Sequence, residues 1–166
     1  NSDDIFMELR LVKSDEEIAR IRNSTRITEK TIEHLMDSVR EGISDIELVK
    51  TAKLRIIEEG ATGFSHIDVG IGGSDAQYPV SGVAMRKGDI AKLDVGVVYG
   101  GYSSDINRLV ALGSVSKNVS QAIDLMIDVQ QACEDATRPG VEPLQVIEAG
   151  EDAYKKIGGE GFYFST

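Results

Sequence analysis

Residues 87–108 read KGDIAKLDVGVVYGGYSSDINR, and the fold can be worked out from this stretch. Segments 90–99 and 102–112 are rich in β-branched residues, which favours strands. Gly100-Gly101 between them can adopt the positive φ angles of a tight turn. The stretch therefore predicts two antiparallel strands joined as a β-hairpin.

A two-residue turn also fixes which residues of the hairpin lie opposite each other. Asp94 is expected opposite Asn107, and Gly96 opposite Asp105, with all four on one face of the sheet. Asp94 and Asp105 are then diagonal neighbours whose backbones lie about 7–8 Å apart. We expect their carboxylates to converge above Gly96, which has no side chain to obstruct them.

Two carboxylates brought together repel each other unless a cation lies between them. Oxygen ligands suit hard divalent metals such as Mn, Mg or Ca, and a bridging carboxylate beside a second one suits two metals. In a second interpretation, Asp94 pairs with Arg108 or Lys92 while Asp105 caps a turn. The spacing alone leaves both interpretations open.

Helices and a strand are predicted before the hairpin. Residues 14–17 read SDEE and residues 44–47 read SDIE, two capping boxes that open helices ending near Gly42 and Gly60. The residues expected to face inward are Ile18, Ile21, Ile32, Leu35, Met36 and Val39 in the first helix, and Ile46, Val49, Ala52 and Ile56 in the second. The alternation of Ile67, Val69 and Ile71 predicts a strand over 64–71, after which the remaining elements are helices over 116–137 and 144–157 and a strand beginning at Gly161.

The chain also resembles itself at an offset of 98 residues. The matching pairs are Arg40 with Arg138, Gly42 with Gly140, Gly60 with Gly158, Gly63 with Gly161 and Phe64 with Phe162. We interpret this as two copies of one αα-then-β unit. The predicted organisation is a lead-in over 1–13, a domain over 14–166, a first repeat over about 14–112, and a partial second repeat over about 116–166.

Composition narrows the functional class. The 166 residues are 41% hydrophobic and 28% charged, values that fit a water-soluble domain with a core. A net charge of −10 argues against nucleic acid as a partner, and there is no apolar run long enough to cross a membrane. The lone Cys133 and the absence of a signal-peptide pattern at the start lead us to expect a cytoplasmic protein.

The hairpin resembles the signature of a known family. Segment 87–96 followed by segment 101–108 is similar to the motif of the prolidase, Xaa-Pro aminopeptidase and methionine aminopeptidase family, and segment 9–18 resembles the start of the catalytic domain in its prolidase branch. The resemblance covers almost the whole chain. It implies an α+β pita-bread fold, built of two pseudo-symmetric αα-β units, which agrees with the repeat.

The resemblance also implies an activity. It is that of a metallopeptidase with two divalent metal ions (Mn, Co or Zn), which hydrolyses the N-terminal bond of short peptides, often next to proline. By resemblance, Asp94 chelates one metal and Asp105 bridges both. Members of the prolidase branch are commonly homodimers, and we expect one here.

Several family features are absent from the sequence. The remaining ligands, one His and two Glu, would follow beyond Thr166. Family members usually also have a substrate-facing His in a Pro-His-like context before the first metal strand, where residues 76–80 here read AQYPV. Asn107 replaces the usual Thr. We expect His34 to be a surface residue and His66 to be a structural histidine rather than a substitute ligand.

Three hypotheses account for these absences. The chain is part of an Xaa-Pro peptidase, a non-catalytic pita-bread module that binds peptides or proteins, or a half-domain completed by another copy. We favour the first, because both metal aspartates are present. For the 166 residues alone it predicts weak metal binding and negligible peptidase activity.

Overall fold

The computed structural model describes residues 2–72 and 80–156. The chain divides into two compact units, Asn1–Ser114 and Val115–Thr166. The elements of the first unit are α1 (Ser2–Leu11), α2 (Asp15–Ser38), α3 (Asp45–Glu58), β1 (Gly63–Ile71), β2 (Ile90–Tyr99), β3 (Tyr102–Ser103) and β4 (Ile106–Ala111). The second unit contains α4 (Lys117–Ala136) and α5 (Pro143–Lys156). Helix α1 was not predicted, since the lead-in has neither a capping box nor a clear apolar stripe.

Strand β2 is the centre of the sheet. It pairs antiparallel with β1 on one side and with β3 and β4 on the other. The predicted hairpin is confirmed: Gly100 and Gly101 have φ angles of 57° and 86°, and Asp94 lies opposite Asn107. One detail was wrong, because the expected single strand over 102–112 is divided, and the ladder is interrupted at 104–105.

The core lies between one face of the sheet and the two helices α2 and α3. Its buried side chains alternate along β1 and β2 and recur at helical spacing in α2 and α3, as the two periods require. They include Ile27, Leu35, Leu48, Ala52, Ile56, Ile67, Val69, Ile71, Leu93, Val95 and Val97. Two inward assignments were wrong, since Met36 is 39% exposed and Ile46 is 51% exposed.

Both predicted capping boxes are present, with Ser14 and Glu17 at the start of α2 and Ser44 and Glu47 at the start of α3. A further polar contact joins the middle of α2 to the end of α3. Glu59, which directly follows α3, accepts a hydrogen bond of 2.8 Å from Lys30 Nζ of α2. This hydrogen bond is the main cause of the lowered pKa of Glu59.

Backbone and carboxylate contacts hold the segment that leads into β2. The buried carboxylate of Asp45 accepts hydrogen bonds from the backbone N–H groups of Ser81 and Gly82, at 3.1 and 2.8 Å. Met85 is fully buried and exchanges backbone hydrogen bonds with Gly42 and Ile43. Residues 76–79 and the strand expected from Gly161 lie outside the described residues.

The second unit repeats features of the first. Helix α5 begins and ends 98 positions after α3, and α4 ends 98 positions after α2. Gly42 and Gly140, which follow α2 and α4, have φ angles of 84° and 86°. These observations support the two-repeat interpretation, which stays a prediction. Over 2–72 and 80–156, the chain has no helix with the length and apolar character of a membrane span.

Candidate metal centre

Three potential metal-binding side chains meet on the sheet face that α2 and α3 leave open. They are His66 of β1, Asp94 of β2, and Asp105 at the interruption between β3 and β4. His66 Nε2 lies 3.3 Å from Asp94 Oδ1 and 3.4 Å from Asp105 Oδ1. Their ligand atoms all lie within 4.8 Å of one another. The side chains of Asp94 and His66 are partly buried, whereas that of Asp105 is 74% exposed.

The register of β1 on β2 puts His66 on this face, directly after a β-bulge. Phe64 pairs with Val97, but His66 pairs with Gly96, so Ser65 is the extra residue in β1. Residues directly opposite each other in a sheet project from the same face, and a shift by one residue would reverse the faces. His66, opposite Gly96, therefore shares the face of Asp94, while Ile67, opposite Val95, lies in the core.

Gly96 provides the space that the histidine ring occupies. A Cβ built on Gly96 would collide with Ser65 Oγ and with the His66 ring. We expected the space above Gly96 to admit the two carboxylates without obstruction. Instead it contains an imidazole ring, with which both carboxylates are in contact.

Hydroxyl groups at the strand interruption hold the residue before Asp105. Ser104 Oγ lies 2.8 Å from Ser24 Oγ and 2.6 Å from Thr28 Oγ1, and both of these α2 residues are buried. The Ser104 N–H donates to the Val97 carbonyl at 3.0 Å, so the backbone stays attached to β2. Ser104 is thus fixed to the core side, which leaves the adjacent Asp105 on the open side.

Polar neighbours also surround Asp94. Asn107 Nδ2 donates a hydrogen bond of 3.0 Å to Asp94 Oδ2, and Lys92 Nζ lies 3.3 Å from the same oxygen. The ion pair with Lys92 was one of the alternatives left open by the sequence. Arg108 Nη1 instead donates a hydrogen bond of 2.7 Å to the Asn107 carbonyl. Asp68 lies opposite Asp94 in the ladder and adds a third carboxylate to this face.

The structure thus brings together the two aspartates that the sequence selected. His66, which we expected to have a structural role, joins them. The alternation of Ile67, Val69 and Ile71 already put His66 on the face away from the core, but the sequence did not reveal which β2 residue it would oppose. His34 is exposed on α2 and lies outside the cluster, while Val80 is half-buried against the core.

Comparison with known proteins identifies the family. The sequence profile of metallopeptidase family M24 matches residues 19–165. The chain belongs to metallopeptidase family M24. The resemblance stated from the hairpin motif is therefore confirmed, and so is the assignment to its prolidase-like members.

Curated relatives of this M24 chain include dipeptidases. It is 29% identical over 158 residues to the probable dipeptidase PepE of Mycobacterium tuberculosis, covering 93% of the chain and 42% of that protein. It is 25% identical over 166 residues to the Xaa-Pro dipeptidase of Pyrococcus furiosus, covering 98% of the chain and 47% of that protein. The chain thus spans less than half the length of these relatives.

Solved structures agree on the fold. The prolidase from Pyrococcus furiosus superimposes with a TM-score of 0.88 at 23% identity, covering 94% of this chain and 47% of that one. PepE from Mycobacterium ulcerans superimposes with a TM-score of 0.87 at 28% identity, covering 93% of this chain and 43% of that one. The predicted pita-bread fold is confirmed, and the chain corresponds to about its first half.

Proposed function

We propose that this chain supplies part of the metal centre of a peptidase that hydrolyses the N-terminal bond of short peptides. The observation that carries the proposal is the convergence of Asp94 and Asp105, whose Oδ1 atoms both lie within 3.4 Å of one imidazole nitrogen. Membership of family M24 supports the reaction class, and the Xaa-Pro dipeptidase of Pyrococcus furiosus suggests peptides with proline at the second position.

The donor set fits divalent cations. Three carboxylates, those of Asp68, Asp94 and Asp105, lie on a face whose basic neighbours are His66 and Lys92. Carboxylate oxygens are hard ligands that bind Mn, Zn and related divalent ions. A cation would relieve the repulsion among these carboxylates.

The proposed roles of the side chains rest on the resemblance to the family and on their contacts. Asp94 and Asp105 would hold two divalent ions (Mn, Co or Zn). Asn107 orients Asp94 through the hydrogen bond to Oδ2. When bound, such ions act as Lewis acids on a peptide carbonyl and lower the pKa of a coordinated water. We further propose a homodimer located in the cytoplasm.

Metal titration of the 166-residue chain tests this proposal. We expect wild-type protein to bind Mn²⁺ weakly by calorimetry, and Asp94→Asn and Asp105→Asn each to remove that binding. Asp37→Asn is the matched control, because Asp37 is exposed on α2 and outside the cluster. Unchanged Mn²⁺ binding in both site variants would overturn the proposal. With Mn²⁺ and Xaa-Pro dipeptides, we expect negligible hydrolysis by these 166 residues alone.

One observation favours a second candidate, a non-catalytic module that binds peptides or proteins. Lys92 Nζ lies 3.3 Å from Asp94 Oδ2, and this internal partner can balance the charge of Asp94 without a metal. In that case Mn²⁺ would not bind at all, and the Asp94→Asn variant would lose folding stability through the broken ion pair. The same titration, combined with urea unfolding, separates the two candidates.

A further inference from the structure

We propose that His66 is a third protein ligand, beside Asp94 and Asp105, for a divalent cation on the open face of the sheet. The inference rests on the proposed function, because it requires the two carboxylates to hold a cation. It goes beyond that function, since His66 is not among the residues that carry the resemblance to family M24. A donor set of two carboxylates and one imidazole would then be complete within the first unit.

The distances are compatible with shared coordination of one cation. His66 Nε2 lies 3.3 and 3.4 Å from the two Oδ1 atoms. A hydrogen bond between an imidazolium and a carboxylate is shorter, about 2.7–2.9 Å. Atoms bound to one cation through bonds of about 2.0–2.2 Å lie roughly 3.0–3.6 Å apart. The observed separations fall in that second range.

Ser65 fixes the ring in the orientation that a ligand needs. Its Oγ lies 3.1 Å from His66 Nδ1, the nitrogen that faces away from the carboxylates. Where Nδ1 donates to this hydroxyl, Nε2 carries the lone pair that faces Asp94 and Asp105. Histidine ligands in metalloproteins are commonly oriented in this way, by a partner on the other ring nitrogen.

An imidazole among the ligands leads us to expect a preference among divalent cations. Carboxylate oxygens alone suit Mg²⁺ and Mn²⁺, whereas imidazole nitrogen favours Co²⁺ and Zn²⁺. Removing His66 should therefore weaken Co²⁺ binding more than Mg²⁺ binding. A purely structural role for His66 would weaken the binding of both cations alike.

The test compares His66→Gln with His34→Gln in untagged 166-residue chains, since the protein has only two histidines. Calorimetry with CoCl₂ and MgCl₂ gives the two dissociation constants for each variant. We expect His66→Gln to weaken Co²⁺ binding at least about tenfold and Mg²⁺ binding much less, because even outer-shell partners of a metal contribute tenfold or more. His34→Gln should match wild type.

X-ray absorption at the Co edge keeps the test valid if His66→Gln folds poorly. In His34→Gln protein, an imidazole scattering pattern can come only from His66. Its presence would support the proposal, and its absence from Co²⁺-loaded protein would overturn it. If Asp94→Asn removes Co²⁺ binding while His66→Gln has no effect, only this inference fails. If Asp94→Asn has no effect either, the proposed function fails with it.

Discussion

At the scale of single residues, Gly96 decides whether His66 can approach the carboxylates. The ring lies where the Cβ of any other residue would be. Gly96→Ala should displace the ring, weaken cation binding, and lower the free energy of unfolding by about 1–3 kcal/mol, the usual effect of overpacking. Metal titration and urea unfolding measure the two effects.

Gly63→Ala is the control for Gly96→Ala, because Gly63 also lies in a strand and a Cβ there meets nothing within 4 Å. If the two variants bind Co²⁺ equally well, the space above Gly96 has no role in the site.

Lys92 is a second residue whose effect can be predicted. Its ammonium lies 3.3 Å from Asp94 Oδ2 and competes with a cation for that carboxylate. Lys92→Met should strengthen Mn²⁺ binding about two- to fivefold, since partly exposed ion pairs contribute up to ~1 kcal/mol. Lys87→Met is the control, because Lys87 is exposed and lies near Glu41 rather than the cluster. Weaker Mn²⁺ binding in Lys92→Met would show that Lys92 supports the site instead.

Residue-scale prediction from the sequence succeeded where the reason was local. Asp94 and Asp105 lie on the two arms of a hairpin with a two-residue turn, so the turn fixes which residues of the two arms lie opposite each other. His66 lies on β1, which a long connection separates from β2, so the sequence does not fix the β2 residue that His66 lies opposite. Its role could be found only once the pairing of β1 with β2 was known.

At the scale of secondary-structure elements, one carboxylate connects the start of α2 to the hairpin. Glu17 completes the capping box with Ser14 and accepts a hydrogen bond of 2.7 Å from the Tyr102 hydroxyl. The Ser14 backbone N–H, followed by the Tyr102 hydroxyl, lowers the pKa of Glu17. The same contact raises the pKa of Tyr102. The charged form of Glu17 is therefore the one that stabilises the fold.

This contact predicts a pH dependence of stability. A carboxyl group with a lowered folded-state pKa stabilises the protein above its unfolded-state pKa, and that contribution is lost as the pH falls through the folded-state value. Glu17→Gln keeps the capping geometry but not the charge. The stability difference between wild type and Glu17→Gln should thus shrink as the pH falls below about 4.5, the ordinary pKa of a glutamate.

Urea unfolding at several pH values measures the effect of Glu17→Gln. Glu29→Gln, at an exposed position of α2, is the control and should show no such change. A constant difference between wild type and Glu17→Gln at all pH values would contradict the assignment.

The elements themselves were largely predictable, because capping boxes, alternation and glycine turns are local signals. The division of the expected strand over 102–112 was not, because its cause is tertiary. Ser104 forms hydrogen bonds with the buried hydroxyls of Ser24 and Thr28, which are far from it in sequence. The same hydroxyls keep Asp105 out of the ladder and available to the site.

At the scale of the whole molecule, the two units differ in how much apolar surface they bury. Among the described residues, Val129 is the only buried hydrophobic residue of the second unit, and all other buried hydrophobic residues lie in the first. Met126, Ile127 and Leu144 of the second unit are exposed. Since burial of apolar surface is the main stabilising contribution, the second unit should open more easily than the first.

Native-state hydrogen exchange on the 166-residue chain tests this difference. Amides of β2 lie in the middle of the sheet and should exchange only through global unfolding, because Leu93, Val95 and Val97 pack in the core. Amides of α4 and α5 should exchange through local opening, with free energies well below the global value and little dependence on urea. Equal protection of β2 and α4 would mean that the helical pair unfolds together with the sheet, as one cooperative domain.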